Sequence, residues 1–182
     1  YRERPGARLF LLSMVAQTVW CLGYGVALLV PDPTLRLGLE VLTLLAMPWT
    51  AVLYLGFALG YTGRTDVIGS WLFGLPVGLT VASNLLVLTN SLHGLVYARF
   101  AVTDVGGLVG ASYTHEPGLF VILGLATLWV VLGVALLFDT VLSYGPLFRR
   151  EALAVGISAM IPGITLLLWL FEVGPTPAVN FT

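Results

Sequence analysis

Five apolar stretches, at positions 9–30, 37–61, 67–90, 118–144 and 151–171, dominate this chain. About 20 residues at 1.5 Å rise span a hydrocarbon core of roughly 30 Å, so each stretch is long enough to cross a bilayer. Lipid offers no water to satisfy backbone N–H and C=O groups, which makes these segments α-helices. The pattern predicts an all-α transmembrane helical bundle. It has five spanning helices, forms a single domain over residues 1–182, and carries a β-hairpin in one long outer loop.

The gaps between the stretches support the division. Pro31, Asp32, Pro33 and Thr34 form a tight proline turn, with Thr34 placed to cap the second helix. In the next gap, Gly63 suits a helix C-terminus, and Thr65 or Asp66 suits the N-cap of the third helix. Ser143, Tyr144, Gly145 and Pro146 make a turn before the basic entry to the fifth. The exception is the loop at 91–117. Within it, 96–103 and 108–115 are rich in β-branched and aromatic residues, and 104–107 supply a glycine turn, the signature of a hairpin. A loop of this length that is not disordered is usually functional. Pro48, Pro76 and Pro162 lie inside helices, where each kinks the backbone and frees a carbonyl, as a hinge or as ordinary packing. Gly56/Gly60 and Gly74/Gly78 have the spacing for close helix contact.

Composition changes the picture in two ways. The chain is 58% hydrophobic and 9% charged, against about 25% charged for a soluble domain. All eight cations are Arg, so no Lys amine is present to carry a retinal Schiff base. Six Arg (Arg2, Arg4, Arg8, Arg64, Arg149, Arg150) fall on one face. Arg36, in the first loop, and Arg99 fall on the other. The positive-inside rule makes the first face cytoplasmic, with Tyr1 inside, Thr182 outside and the hairpin extracellular. A net charge of −1 gives no sign of nucleic-acid binding. Cys21 reads as a small packing residue inside the first helix. The chain opens on Tyr1 rather than Met, as expected for a piece of a longer protein.

Candidate chemistry rests on few groups. Glu40, one turn inside the outer end of the second helix, is costly in a span and is expected to face a pocket or to snorkel. Asn84, Thr89 and Asn90 occupy the outer half of the third helix, and His93 follows at i, i+3 from Asn90. Glu40, Asn84, Asn90 and His93 are the candidate ligand-binding set. The competing reading is that Thr89, Asn90 and His93 cap the helix and hold the hairpin. Ser13, Gln17, Trp20, Cys21 and Tyr24 form a polar stripe on the first helix, either an interhelical seam or a pocket wall. Asp139 is expected to pair with Arg149 or Arg150, and Arg64 with lipid phosphate or Asp66. His93 and His115 have no metal-ligand spacing. No motif for a catalytic residue, nucleotide, metal or other cofactor is present.

Several of these residues, in order, resemble the N-terminal seven-helix sensor region of archaeal and bacterial histidine kinases, a type especially frequent in haloarchaea. The landmarks are Trp20; the turn Tyr61, Thr62, Gly63 and Arg64; Pro76; Thr89 through Leu95, with Asn90 and His93; and Pro162. The resemblance implies that the five helices match the second to sixth of seven, and that kinase activity belongs to a longer parent. It implies a membrane receptor that detects an external or membrane signal and passes it to a cytoplasmic histidine-kinase output in a two-component system. The partners are then membrane lipid, a small-molecule or membrane signal and the kinase domain, with homodimerisation left open. A transporter or channel subunit is the alternative, and the apolar inner half of the bundle gives it little support.

Overall fold

The computed structural model describes residues 6–144. The expected fifth helix (151–171), Pro162, Arg2, Arg4, Arg149 and Arg150 lie outside the described residues. Within them the order is α1 (Ala7–Ala27), α2 (Pro33–Tyr61), α3 (Thr65–Ile68), α4 (Trp71–Leu88), α5 (Asn90–His93), β1 (Tyr97–Val105), β2 (Leu108–His115) and α6 (Pro117–Tyr144). Among the described residues four helices, α1, α2, α4 and α6, are long and apolar enough to cross a membrane, against the five expected along the whole chain.

The central helix is α2, against which α1, α4 and α6 all pack. Its residues Leu44, Met47, Ala51, Val52, Leu55 and Leu59 are core residues, joined by Phe73 and Val87 of α4 and by Leu119, Ile122 and Trp129 of α6. The outward faces of α1, α4 and α6 are apolar and open, with Leu11, Leu22, Leu75, Leu85 and Val131 all exposed. Lipid tails are as apolar as leucine, so such a surface is the one a bilayer requires. Cys21 lies on this open side of α1 and is exposed rather than packed.

Helix ends depart from the expected boundaries for local reasons. Asp32, not Thr34, caps α2: its carboxylate accepts the Leu35 N–H at 2.8 Å, and Pro33 takes the first turn. The third apolar stretch is interrupted. Its first residues make the short α3, which no side chain caps, and Ser70 then restarts the helix by accepting the Leu72 N–H at 3.2 Å. Neither Thr65 nor Asp66 serves as the cap. Gly63 does end α2, at φ 76°. The Arg64 N–H bonds Leu59 O at 2.9 Å and the Gly63 N–H bonds Gly60 O at 3.3 Å, a Schellman closure. Of the glycine pairs, Gly56 approaches Phe73 and Leu9, and Gly60 approaches Gly6. Gly74 and Gly78 meet nothing within 4 Å.

The hairpin is present as expected. β1 and β2 pair antiparallel from Val105↔Leu108 outward. Gly106 and Gly107, at φ 63° and 87°, form a two-residue turn that only residues tolerating positive φ enter easily. The Asp104 side chain accepts the Gly107 N–H at 3.2 Å. Pairing slips between Ala98 and Ala101, so Arg99 and Phe100 both oppose Tyr113. Arg99 sits at φ 56° in this bulge. Two backbone bonds fasten the hairpin to the bundle, Val109 N–H to Leu28 O (2.8 Å) and Gly118 N–H to Leu95 O (2.8 Å), and a third, Glu116 N–H to Val96 O (3.1 Å), closes the hairpin's base. A Cβ on Gly118 would stand 2.6 Å from Leu95 O, so this root of α6 demands glycine.

Candidate functional site: a buried polar cluster under the hairpin

The first turns of α2 place a charged pair where the hairpin covers it. Arg36 and Glu40, one helical turn apart, meet through Nη1 and Oε2 at 2.5 Å. They are 1% and 6% exposed. Arg36 is therefore no loop residue, as its position had suggested; starting α2 at Pro33 carries it into the helix and into the bundle. Removing a guanidinium and a carboxylate from water costs several kcal/mol each, so the pair persists only because each charge neutralises the other. The second carboxylate oxygen of Glu40 accepts a hydrogen bond from the Tyr113 hydroxyl at 3.1 Å. Tyr24 of α1 lies within electrostatic reach of Glu40, Arg36 and Tyr113. The guanidinium Nε of Arg36 is buried and has no protein acceptor.

Asn90 forms the second anchor. Its Oδ1 accepts the N–H groups of Val96 (2.8 Å) and Tyr97 (3.4 Å), and its Nδ2 donates to Tyr97 O at 2.9 Å. At 5% exposure, this amide clamps the base of β1. His93 is exposed and serves locally: Nδ1 accepts the Leu95 N–H at 2.9 Å, and Nε2 lies 3.2 Å from Thr89 Oγ1. Asn84 is half-buried, with a buried Oδ1 that no protein donor reaches. Glu40 and Asn90 are thus both turned inward and both hold the hairpin, whereas His93 caps a helix end. The bonds of Thr89, Asn90 and His93 match the capping alternative set out from the sequence.

Aromatic rings of the hairpin link the two anchors. Tyr97 and Tyr113 have ring centroids 5.9 Å apart, and Phe100 and His115 also flank Tyr113, at 6.3 and 5.3 Å. Burial pushes the Tyr113 hydroxyl well above the ordinary tyrosine range, and the negative charge of Glu40 adds to it. Burial also raises Tyr97, partly opposed by Asn90 and reinforced by Glu40. Both hydroxyls stay protonated at neutral pH, and that of Tyr113 donates.

The sequence did not single out Arg36, Tyr113 or Tyr97. A signal was available for the first of them. Arg36 and Glu40 stand at i, i+4, and opposite charges at that spacing share a helix face. Tyr113 leaves no such trace, because the bulge at Arg99 and Phe100 decides where it lies. On the first helix, Ser13 donates to Thr50 O of α2 at 3.1 Å, an interhelical seam, while Gln17 bonds Cys21 Sγ at 3.2 Å. Trp20 packs on the core. At the opposite end of the bundle, Arg64 donates to Asp139 of α6 at 2.6 Å, with side chains 39% and 60% exposed. That partner replaces the Asp66 or lipid phosphate expected for Arg64, and it is Arg64 that Asp139 holds among the described residues.

The family model for the N-terminal 7TM region of histidine kinase matches the chain over residues 1–182. No curated protein and no solved structure matches it.

Proposed function

Because the chain belongs to the family of N-terminal 7TM regions of histidine kinase, we propose that it senses its signal through the hairpin and the polar cluster beneath it. Membership makes it a multi-pass membrane protein and the sensor module of a histidine kinase, with a kinase output in the parent protein. The hairpin face is extracellular and the Arg64 end cytoplasmic, in keeping with Arg8 and Arg64 at one end and Arg99 at the other. A small molecule or a membrane change displaces the hairpin, and the spans redistribute between two arrangements that the kinase reads. Lipid surrounds the bundle, and a second copy is the expected partner of a kinase that acts in trans.

One observation carries this reading. The hairpin segment is joined to α1 through Leu28, to α2 through Glu40, to the short α5 that follows α4 through Asn90, and to α6 through Gly118. A displacement of β2 therefore cannot leave the spans where they were. The test is a reversible lock. Cysteines at Leu28 and Val109, in a Cys21→Ser full-length parent, are oxidised, and autophosphorylation is measured before and after reduction. The expected result is a kinase level that changes with the lock and recovers on reduction. Equal activity in both states refutes the role of the hairpin. For orientation, single cysteines at Thr65 and Val105 should label from opposite sides of the membrane.

A further inference from the structure

We infer that the Nε edge of Arg36 is a recognition site for a neutral carbonyl or hydroxyl oxygen, a reading that rests on the proposed sensory role of the cluster and names its ligand chemistry. Arg36 is 1% exposed, yet its pairing with Glu40 uses a single nitrogen, Nη1. The other carboxylate oxygen of Glu40, Oε1, accepts from Tyr113 instead. Nε is left buried with no protein acceptor. A guanidinium presents its donors as a planar fork, so the side carrying Nε is a preformed donor edge. A buried donor on a charged group strongly favours any acceptor that reaches it.

Charge selects among acceptors. The cluster already balances one cation against one anion, and the groups that face it from α1 and β2, Tyr24 and Tyr113, are neutral when protonated. A carboxylate or phosphate entering here would leave a net negative charge out of water. A neutral acceptor completes the guanidinium without that cost. Two sources supply such an oxygen: the ester carbonyl of an outer-leaflet lipid and a free amide, ester or alcohol.

The Hε–Nε resonance of Arg36 reports on the bond directly. The protein is labelled with 15N-arginine, and Arg36→Lys assigns the peak by its disappearance. In dodecyl maltoside, which has no ester, N,N-dimethylacetamide should shift this peak saturably, and acetate should bind at least about tenfold more weakly. In nanodiscs of an ester phosphatidylcholine, a peak already shifted and unresponsive to the amide identifies the lipid carbonyl as the occupant. An unshifted peak that still titrates identifies a free ligand. Glu40→Gln, which removes the balancing anion, should reverse the preference toward acetate. A peak that is the same in both environments and indifferent to the amide overturns the proposal, as does wild-type protein that prefers acetate. Because the readout is binding to the bundle, a positive titration with an unaffected kinase would count against the sensory role alone.

Discussion

Replacing Glu40 by Leu is the sharpest test of the cluster's energetics. The substitution strands the Arg36 guanidinium, 1% exposed, without its counter-charge. Removing one partner of a buried ion pair costs about 3–5 kcal/mol, because the remaining charge stays desolvated. Tyr113 loses its carboxylate acceptor at the same time, but the two losses share one network and do not simply add. Against a typical stability of about 5–15 kcal/mol, the single variant should lose a large share. The combined variant Arg36→Leu, Glu40→Leu, Tyr113→Phe removes both charges and the stranded hydroxyl. It should return to within about 1–2 kcal/mol of the wild type, since apolar replacement of a complete buried pair is often neutral or stabilising. Equilibrium unfolding in mixed micelles of dodecyl sulfate and dodecyl maltoside, followed by circular dichroism, measures both. A loss under about 1 kcal/mol for Glu40→Leu would mean that water reaches Arg36. A combined variant no better than the single one would mean that the pair, not its balance, holds the hairpin end together.

Asn90→Leu leaves the buried N–H of Val96 without its acceptor, which costs about 1–3 kcal/mol; hydrogen exchange should quicken at Val96 and Tyr97 first, and unchanged protection there would disprove the clamp. Tyr113 has its folded-state pKa raised above the ordinary value of 10.0 by burial and then by Glu40. Its contribution is therefore complete below pH 10 and is lost as the pH rises beyond it, at up to about 1.4 kcal/mol per pH unit. Tyr113→Phe should flatten that decline in a denaturation series from pH 8 to 11, and an identical slope in the variant would remove Tyr113 as its source. Arg64→Ala breaks a bridge whose partners are 39% and 60% exposed, so detergent unfolding should move by about 1 kcal/mol or less; a large loss would show the bridge to be shielded.

What the sequence revealed and what it hid divide along a physical line. Four spans among the described residues, the hairpin and its glycine turn were legible because each is written locally, in apolar length, β-branched runs and adjacent positive-φ residues. Glu40 and Asn90 were legible because a polar group in an apolar span has to be accounted for. Their partners were not. Arg36 looked like a loop cation because its burial depends on Asp32 and Pro33 starting α2 early. Tyr113 reaches Glu40 across 73 residues through a β-bulge, and Arg64 finds Asp139 across 75. Long-range pairings of this kind depend on how the helices pack, which no local window records. His93 misled for the opposite reason: its spacing from Asn90 was right, but both of its ring nitrogens are spent on its own helix end.

The polar bonds at the two ends of α2 are of unequal strength. From Glu40 to Tyr61 is about 32 Å at 1.5 Å per residue, and most of that length is buried. A helix enclosed on several sides moves as a body rather than by local bending, except where Pro48 removes a backbone donor inside it. At the hairpin end the holding contacts are desolvated, so they yield only to something that supplies equivalent contacts, as a ligand oxygen or a rearranged hairpin does. At the other end the Schellman turn presents Arg64 to Asp139 in water, where the bridge is worth about 1 kcal/mol or less. A change of a few kcal/mol at the buried end therefore exceeds what this bridge contributes, and α2 stays attached to α6 there mainly through Tyr54, Phe57 and Ala58 packed on Val134 and Leu137. Under the proposed sensory role, movement that begins beneath the hairpin is carried along the buried body of α2 to the Arg64 end, with the exposed bridge adding little resistance of its own.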